Sequence, residues 1–188
     1  MEKEYESLSD KELVAIVLSN KEAFSAIIDR YEAALRRYIG RLGVRDKRDV
    51  EDILQNSFIK VYRYLRSFND SFLFSSWIYR IVHNETYDFF RAKKRRPEVT
   101  LDEGSEQHFL NIDSGDDQTQ IFDKQIDAKV LNDALQNLDK KYRDVLLLRF
   151  SEDKDYRQIS DILQIPEGSV ATLIHRGKKA LRLVLLEK

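Results

Sequence analysis

Apolar residues recur every three or four positions over most of this chain, and that period leaves room for little besides helices. Phe24, Ile27, Ile28, Tyr31, Leu35, Tyr38, Ile39 and Leu42 make one long stripe. Ile53, Leu54, Phe58, Val61, Tyr62 and Leu65 make another, and Trp77, Ile78, Ile81, Val82 and Phe89 a third. The period returns at Ile126, Val130, Leu131, Leu135 and Leu138 and runs on through Val145, Leu146, Leu147, Leu148 and Phe150. Stripes of this kind line one face of an amphipathic helix. Ser9 or Asp10, with Glu12 close behind, is placed to cap a first helix, and Gly43 to end the helix of the first stripe. Helix formers dominate, and only 6 Gly and 2 Pro are present to break them. The expected fold class is all-α.

The stripes fall into two groups, which predicts two small helical domains. Between them, residues 97–127 lose the period and carry Glu98, Asp102, Glu103, Glu106, Asp113, Asp116, Asp117, Asp123 and Asp127 against a single Lys124. Such a stretch reads as a flexible acidic linker. The expected plan is a helical domain over residues 8–96, the linker over 97–127 and a second helical domain over 128–188. The net charge of −1 hides a strong alternation. A basic run, Arg91, Lys93, Lys94, Arg95 and Arg96, precedes the acidic stretch, and the C-terminal helix is basic again.

The second domain carries a helix-turn-helix pattern. A short helix bears Ile159, Ile162 and Leu163, a break follows at Gln164-Ile165-Pro166, and a second helix bears Val170, Leu173, Ile174 and Leu181. The second helix of such a motif can enter a DNA major groove. Its polar candidates are Glu167, Ser169, Thr172, His175, Arg176, Lys178 and Lys179. Arg176 and Lys178, near the basic end, suit phosphate rather than base edges.

The first domain holds two further constellations. Phe68 to Asn84 is rich in aromatic residues and leads into the basic run. Aromatic faces beside cations suit single-stranded nucleic acid, since stacking contributes roughly 1–3 kcal/mol per base and Lys and Arg neutralise phosphates. Phe74, Trp77 and Ile81 fit a core better than a stacking surface. Asn69, Asp70, Ser71 and Ser75 are better suited to reading a base edge. The second constellation, Glu51, Asp52 and Gln55, either loads a helix N-terminus with favourable charge or forms an acidic docking face.

Other chemistries find no support. With no Cys, disulfides and thiolate metal sites are excluded. His83, His108 and His175 lie in separate segments and suggest no metal site. No Gly-rich phosphate loop or paired catalytic carboxylate stands out. The N-terminus lacks the apolar core of a secretory signal, and no apolar run approaches the roughly 20 residues of a membrane span. Together with the absence of Cys, this fits a cytoplasmic protein.

Taken in order, the three constellations resemble the extracytoplasmic-function (ECF) group of sigma factors, the small initiation subunits of bacterial RNA polymerase in the sigma-70 family. Glu51-Asp52-Ile53-Leu54-Gln55, with Phe58 and Val61, resembles the helix that docks on the clamp helices of the largest polymerase subunit. Phe74 to Ile81, with Asn84, Asp88 and Arg91, resembles the promoter-melting region. The C-terminal domain resembles the reader of the minus-thirty-five element. The resemblance covers nearly everything except the acidic linker.

The resemblance implies a binding subunit without catalysis or cofactor. Glu51, Asp52, Gln55 and Phe58 would hold core RNA polymerase, and the second domain would meet the flap of the second-largest subunit. The loop from Phe68 to Ser76, with Asn69, Asp70, Ser71, Ser75 and Trp77, would capture a base flipped from the minus-ten element. Asn84 would lie beside that strand, and Arg80, Arg91, Lys93 and Arg95 would hold its phosphates. Flipping costs a few kcal/mol and needs a shaped pocket in return. The linker would run toward the RNA exit path or act only as a solubilising tether. The resemblance also implies an anti-sigma partner covering these faces, near Phe58, Tyr62 and Leu65. Two departures stand out. Ala171 and Leu173 occupy positions where the family often carries Lys and Arg, and Gln158-Ile159-Ser160 replaces Glu-Ile-Ala. The residues also leave open a stand-alone helix-turn-helix regulator, although no long heptad seam for a dimer is present.

Overall fold

The computed structural model describes Tyr5, residues 7–95 and residues 128–186, and those residues form helices and turns without a strand. Helix α1 spans Asp10–Ser19, α2 Phe24–Arg41, α3 Lys47–Tyr64 and α4 Phe74–Arg95. The second group is α5 (Ala128–Gln136), α6 (Lys140–Phe150), α7 (Tyr156–Leu163) and α8 (Glu167–Leu186). The segment expected to be a linker lies outside the described residues.

Local chemistry explains the helix ends. Of the two candidate caps, Ser9 is the one used: its hydroxyl accepts from Glu12 N–H while the Glu12 carboxylate accepts from Ser9 N–H, which satisfies donors the helix leaves free. Asp155 and Gln158 form the same reciprocal pair ahead of α7, giving Gln158 a local role. Past α2, Gly43 sits at φ +113, a conformation that a side chain strains. At the turn of the helix-turn-helix, Gln164 adopts the left-handed region at φ 54 and closes α7.

In the first group, α3 packs between α2 and α4, and α1 lies across α2 and α4. Ile27, Leu35, Tyr38, Ile39, Val61, Ile78 and Val82 are fully enclosed. Asp10 pins α1 to α2, accepting from Arg30 at 2.8 Å and from the Tyr31 hydroxyl. In the second group α8 packs on α5, α6 and α7. Gly177 permits this, because a Cβ there would lie 3.2 Å from the Leu146 side chain.

The two groups share a single apolar core, with α7 lying along α4. This explains α6, where Asp144, Val145, Leu146, Leu147 and Leu148 are all buried in succession. A helix enclosed on every side needs partners on every side.

Candidate nucleic-acid interface

The helical period divides α4 into faces. Tyr79, His83 and Tyr87 are buried and turn toward the second group of helices. The adjacent stripe carries Arg80, half-buried, with Asn84, Asp88 and Arg91 exposed. Arg91 pairs with Asp88. Lys93 reaches Asp49 at 3.3 Å and lies 5.4 Å from the centre of the Phe89 ring. Exposed pairs of this kind contribute little, so a phosphate can displace them. Lys93, Lys94 and Arg95 extend the basic surface through the last turn of α4.

The loop ahead of α4 is built on three rings. Phe68 meets Phe74 edge-on at 5.5 Å and Trp77 at 5.2 Å, and Phe74 in turn lies 5.6 Å from Trp77. Phe74 is buried, while Phe68 and Trp77 are half-buried and keep part of their surface open. Trp77 thus backs the loop as well as the core, and Ile81 packs against the core. Asn69 shapes the turn: its side-chain oxygen accepts from Ser71 N–H at 3.0 Å and from the Ser71 hydroxyl. Asn69, Asp70 and Ser71 are exposed and Ser75 is half-buried. An exposed ion pair, Lys11 to Asp70 at 3.3 Å, ties the loop to α1. Phe72 and Leu73 fall within the expected loop but were not singled out there. They are 43% and 56% exposed on this loop and offer apolar surface beside the polar tips. Their signal in sequence is an apolar pair outside any helical stripe.

On α3, Glu51, Asp52 and Gln55 are exposed on one side, and Glu51 pairs with Arg36 of α2. Phe58 departs from the expectation. It is buried and packs edge-on against Phe24, 6.5 Å between ring centres. Next to it Ile59 is 49% exposed, and one turn further Tyr62 is 43% exposed, so the apolar surface beside the carboxylates comes from them. Leu65 is buried in the core.

In α8, Glu167, Thr172, His175, Arg176, Lys178 and Lys179 are exposed, whereas Ser169 is half-buried. Thr172 turns its hydroxyl back to the Gly168 carbonyl at 3.2 Å. Lys178 leans over the Phe150 ring at 4.8 Å. Ala171 is exposed, and Leu173 packs against the core. The cations therefore cluster toward the second half of the helix.

Between the two groups lies a polar cluster that the sequence reading did not single out. Tyr87 donates to Asp144 at 2.6 Å, and Lys140 caps the Tyr87 ring at 3.2 Å. Tyr79 donates to Glu152 at 2.8 Å, and Lys154 lies 4.2 Å from the centre of the Tyr79 ring. Arg41 bridges Glu152 at 2.8 Å and the Ser151 carbonyl at 3.2 Å, while Gln136 donates to the Arg41 carbonyl at 2.7 Å. Burial pushes Asp144 up to about 6, against the pull of Tyr87, Arg143 and Lys140, and raises Glu152 as well. Burial holds His83 down to about 3, with Lys140 and Arg143 adding to it. His83 Nδ1 lies 2.9 Å from the Tyr38 hydroxyl and Nε2 lies 3.7 Å from Asp144. With Tyr38 donating, the ring proton sits at Nε2 and faces the carboxylate.

Comparison with known proteins accounts for both groups. Residues 27–96 match sigma-70 region 2 and residues 128–181 match sigma-70 region 4. The chain is 32% identical over 183 residues to the ECF RNA polymerase sigma factor SigW of Bacillus subtilis, covering 94% of this chain and 96% of the relative. It is 30% identical over 188 residues to the ECF RNA polymerase sigma-E factor of Haemophilus influenzae, covering 94% and 95% respectively. The fold resembles that of CnrH, solved in complex with the cytosolic domain of CnrY, at a TM-score of 0.70 and 20% identity over 95% of this chain and 98% of that one. It also resembles the sigma factor RpoE of Bartonella quintana, solved with the anti-sigma factor NepR, at a TM-score of 0.64 and 19% identity over 86% and 96%. No helix among the described residues is long and apolar enough to cross a membrane. With both sigma-70 regions matched in order and full-length relatives of this identity, the chain belongs to the ECF group of the sigma-70 family of RNA polymerase sigma factors.

Proposed function

We propose that this chain works in the cytoplasm as a transcription-initiation subunit that acts by binding alone, without catalysis or a cofactor. The observation that carries the reading is the presence, in one chain and in family order, of three separate exposed surfaces: the carboxylates of α3, the aromatic and basic surface of α4, and the polar face of α8. Glu51, Asp52 and Gln55 dock core RNA polymerase, with Ile59 and Tyr62 in place of Phe58 as their apolar neighbours. The second domain, over residues 128–188, meets the flap and the minus-thirty-five element.

The α4 surface receives the minus-ten element. Asn69, Asp70, Ser71 and Ser75 form the rim of a pocket backed by Phe68 and Trp77. A base leaving the duplex loses its stacking and regains it against these rings. Asn84 lies beside the strand, and Arg80, Arg91, Lys93 and Arg95 hold its phosphates. On α8, Thr172 and His175 meet base edges, with Glu167 and Ser169 at the helix start, while Arg176, Lys178 and Lys179 hold the backbone. The sigma factor RpoE solved with the anti-sigma factor NepR supports a comparable partner here, covering Ile59 and Tyr62.

The reading is tested with purified core polymerase and a promoter library. Specific transcripts are expected only when this chain is added. Specific duplex binding by the chain alone, with no transcript on adding core, would instead identify a stand-alone regulator. Recovery of free, fully active protein from the native host would remove the anti-sigma element.

A further inference from the structure

Helix α1 contributes no residue to the proposed minus-ten pocket, yet it reaches that pocket at two levels. It lies against α4 and against the short turn Leu65–Ser67, which delivers Phe68 to the loop. At the rim, Lys11 pairs with Asp70 at 3.3 Å. Beneath the rings, Asp10 accepts from the Tyr31 hydroxyl and from Arg30 at 2.8 Å, and the same guanidinium donates to the Tyr5 carbonyl at 2.8 Å.

The Tyr31 ring stands one layer behind the pocket. It meets Phe74 edge-on, 5.7 Å between ring centres, and Phe74 in turn touches both Phe68 and Trp77. A line of contact therefore runs from Asp10 through Tyr31 and Phe74 to the two half-buried rings. Packing alone does not require this hydroxyl, since a phenylalanine would fill the same space without a partner. A tyrosine only 7% exposed has given up water around its hydroxyl and needs an acceptor in return. Burial and the Asp10 carboxylate hold the phenol well above its ordinary value, so it remains a donor. An edge-on ring contact tolerates sliding and tilting, whereas a charge-assisted hydrogen bond at the far end of the ring fixes it. The Lys11–Asp70 pair is too exposed to add much and acts only on the rim.

We infer that Asp10, held by Arg30, is a positioning residue for base capture: through Tyr31 and Phe74 it sets the stance of Phe68 and Trp77, and with it the selectivity of the pocket for the base it receives. A site that discriminates needs its walls held to within about 0.5 Å by the groups behind them. The inference deepens the minus-ten reading of α4 and rests on it for the selectivity, while the link from Asp10 to Trp77 rests on the geometry alone.

Trp77 is the only tryptophan in the chain, so its fluorescence reports on the pocket directly. Tyr31→Phe keeps the ring and removes the donor. Asp10→Asn keeps the shape and removes the charge. In the free chain each is expected to raise acrylamide quenching of Trp77 about twofold, with helix content unchanged by circular dichroism. Asp10→Glu, which keeps a carboxylate, is expected to restore most of the protection. In complex with core polymerase, on single-stranded minus-ten oligonucleotides varied base by base, Tyr31→Phe and Asp10→Asn are expected to flatten preference at the captured base by about three- to tenfold. The salt slope, set by the cations of α4, is expected to stay as it was. Ile39→Val, at a fully enclosed position two turns further along α2, serves as the stability control: it is expected to lower the melting temperature and leave base preference intact. Unchanged Trp77 quenching in both variants overturns the link from Asp10. Altered quenching with base preference intact, or an equal loss of preference in Ile39→Val, overturns the positioning role. If the unmodified chain itself shows no base preference, the minus-ten reading falls and the selectivity with it, while the quenching data still decide the link.

Discussion

The outer face of α4 and the exposed face of α8 both offer polar and cationic side chains, yet they differ in what lies beside the charge. On α4 the cations follow a loop with a half-buried ring cluster beneath it, so charge and stacking surface occur together. Helix α8 carries no Phe, Tyr or Trp, its start offers Ala171, and the cations gather in the second half. The first arrangement suits a strand whose bases have left the stack, because an unstacked base needs an apolar face to replace its neighbours. The second suits intact duplex, where a helix rests on phosphates and only a few side chains reach base edges. Among those side chains, Thr172 spends part of its capacity on its own helix. On the proposed reading, α8 offers fewer base contacts to duplex, and the α4 surface is the better built of the two.

The largest test of this contrast removes the rings. Phe68→Ala with Trp77→Ala is expected to reduce open-complex formation on duplex promoters by ten- to hundredfold or more, given roughly 1–3 kcal/mol per stacked base. Much of the loss should return on a template already mismatched across the minus-ten element, as read by permanganate footprinting. An equal loss on both templates would mean that the rings only support the fold.

On α8 the contrast predicts a division within one helix. Thr172→Ala with His175→Ala is expected to flatten sequence preference at the minus-thirty-five element by roughly five- to hundredfold, from about 1–3 kcal/mol per base contact. Arg176→Ala with Lys179→Ala should weaken all sequences alike and lower the salt slope by about one for each cation removed. Binding titrations across a site library at several salt concentrations distinguish the two. Loss of preference in the Arg176 and Lys179 variant would reverse the assignment.

The inner face of α4 should respond to pH in a way neither outer face does. His83 is held down to about 3, so its contribution to stability is full above the usual histidine value and is lost as pH falls below about 6.5. Asp144 is pushed up to about 6, so its burial costs stability above that pH, and the cost is relieved as pH falls toward 3.8. The two effects oppose each other. Facing them are Tyr38 from α2, Tyr87 from α4, and Lys140 and Arg143 from α6. Between pH 7 and pH 5 the unmodified chain should lose under about 1 kcal/mol, and Asp144→Asn about 2 kcal/mol, once only the histidine responds. Thermal melting across that range measures both, and identical slopes would show that the pair does not compensate.

The smallest effect concerns the turn that aims α8. Gln164 holds a left-handed conformation that glycine adopts without strain. Gln164→Gly is expected to stabilise the chain by about 0.5–1 kcal/mol, seen as a raised melting temperature, with duplex preference unchanged. A change in preference would mean that the Gln164 side chain itself takes part in reading.

Much of the architecture was legible because helices announce themselves locally. Ser9 with Glu12, Gly43, and the break at Gln164-Ile165-Pro166 all lie where the structure uses them. The exposed positions of Glu51, Asp52, Gln55, Asn84 and Arg91 follow from the same period, since each falls off an apolar stripe. Phe58 shows the limit. Its stripe placed it between core and docking face, and only the ring of Phe24 against it decided the matter. Phe72 and Leu73 were not singled out within the Phe68–Ser76 loop for the opposite reason, because loop residues obey no period.

The sequence by itself determined an all-helical chain, the order of its three polar surfaces and its family. Those properties depend on neighbours within a few positions or on the identities of residues in line. The tertiary structure decided what the buried stripe of α4 is buried against. Tyr79 and Glu152 are 73 positions apart, and Tyr87 and Asp144 are 57. A tyrosine reads as core in any helix, and a lone aspartate before Val145-Leu146-Leu147-Leu148 reads as a flank. Only when α7 lies along α4 do these polar groups meet, exchange water for one another and hold the two halves together.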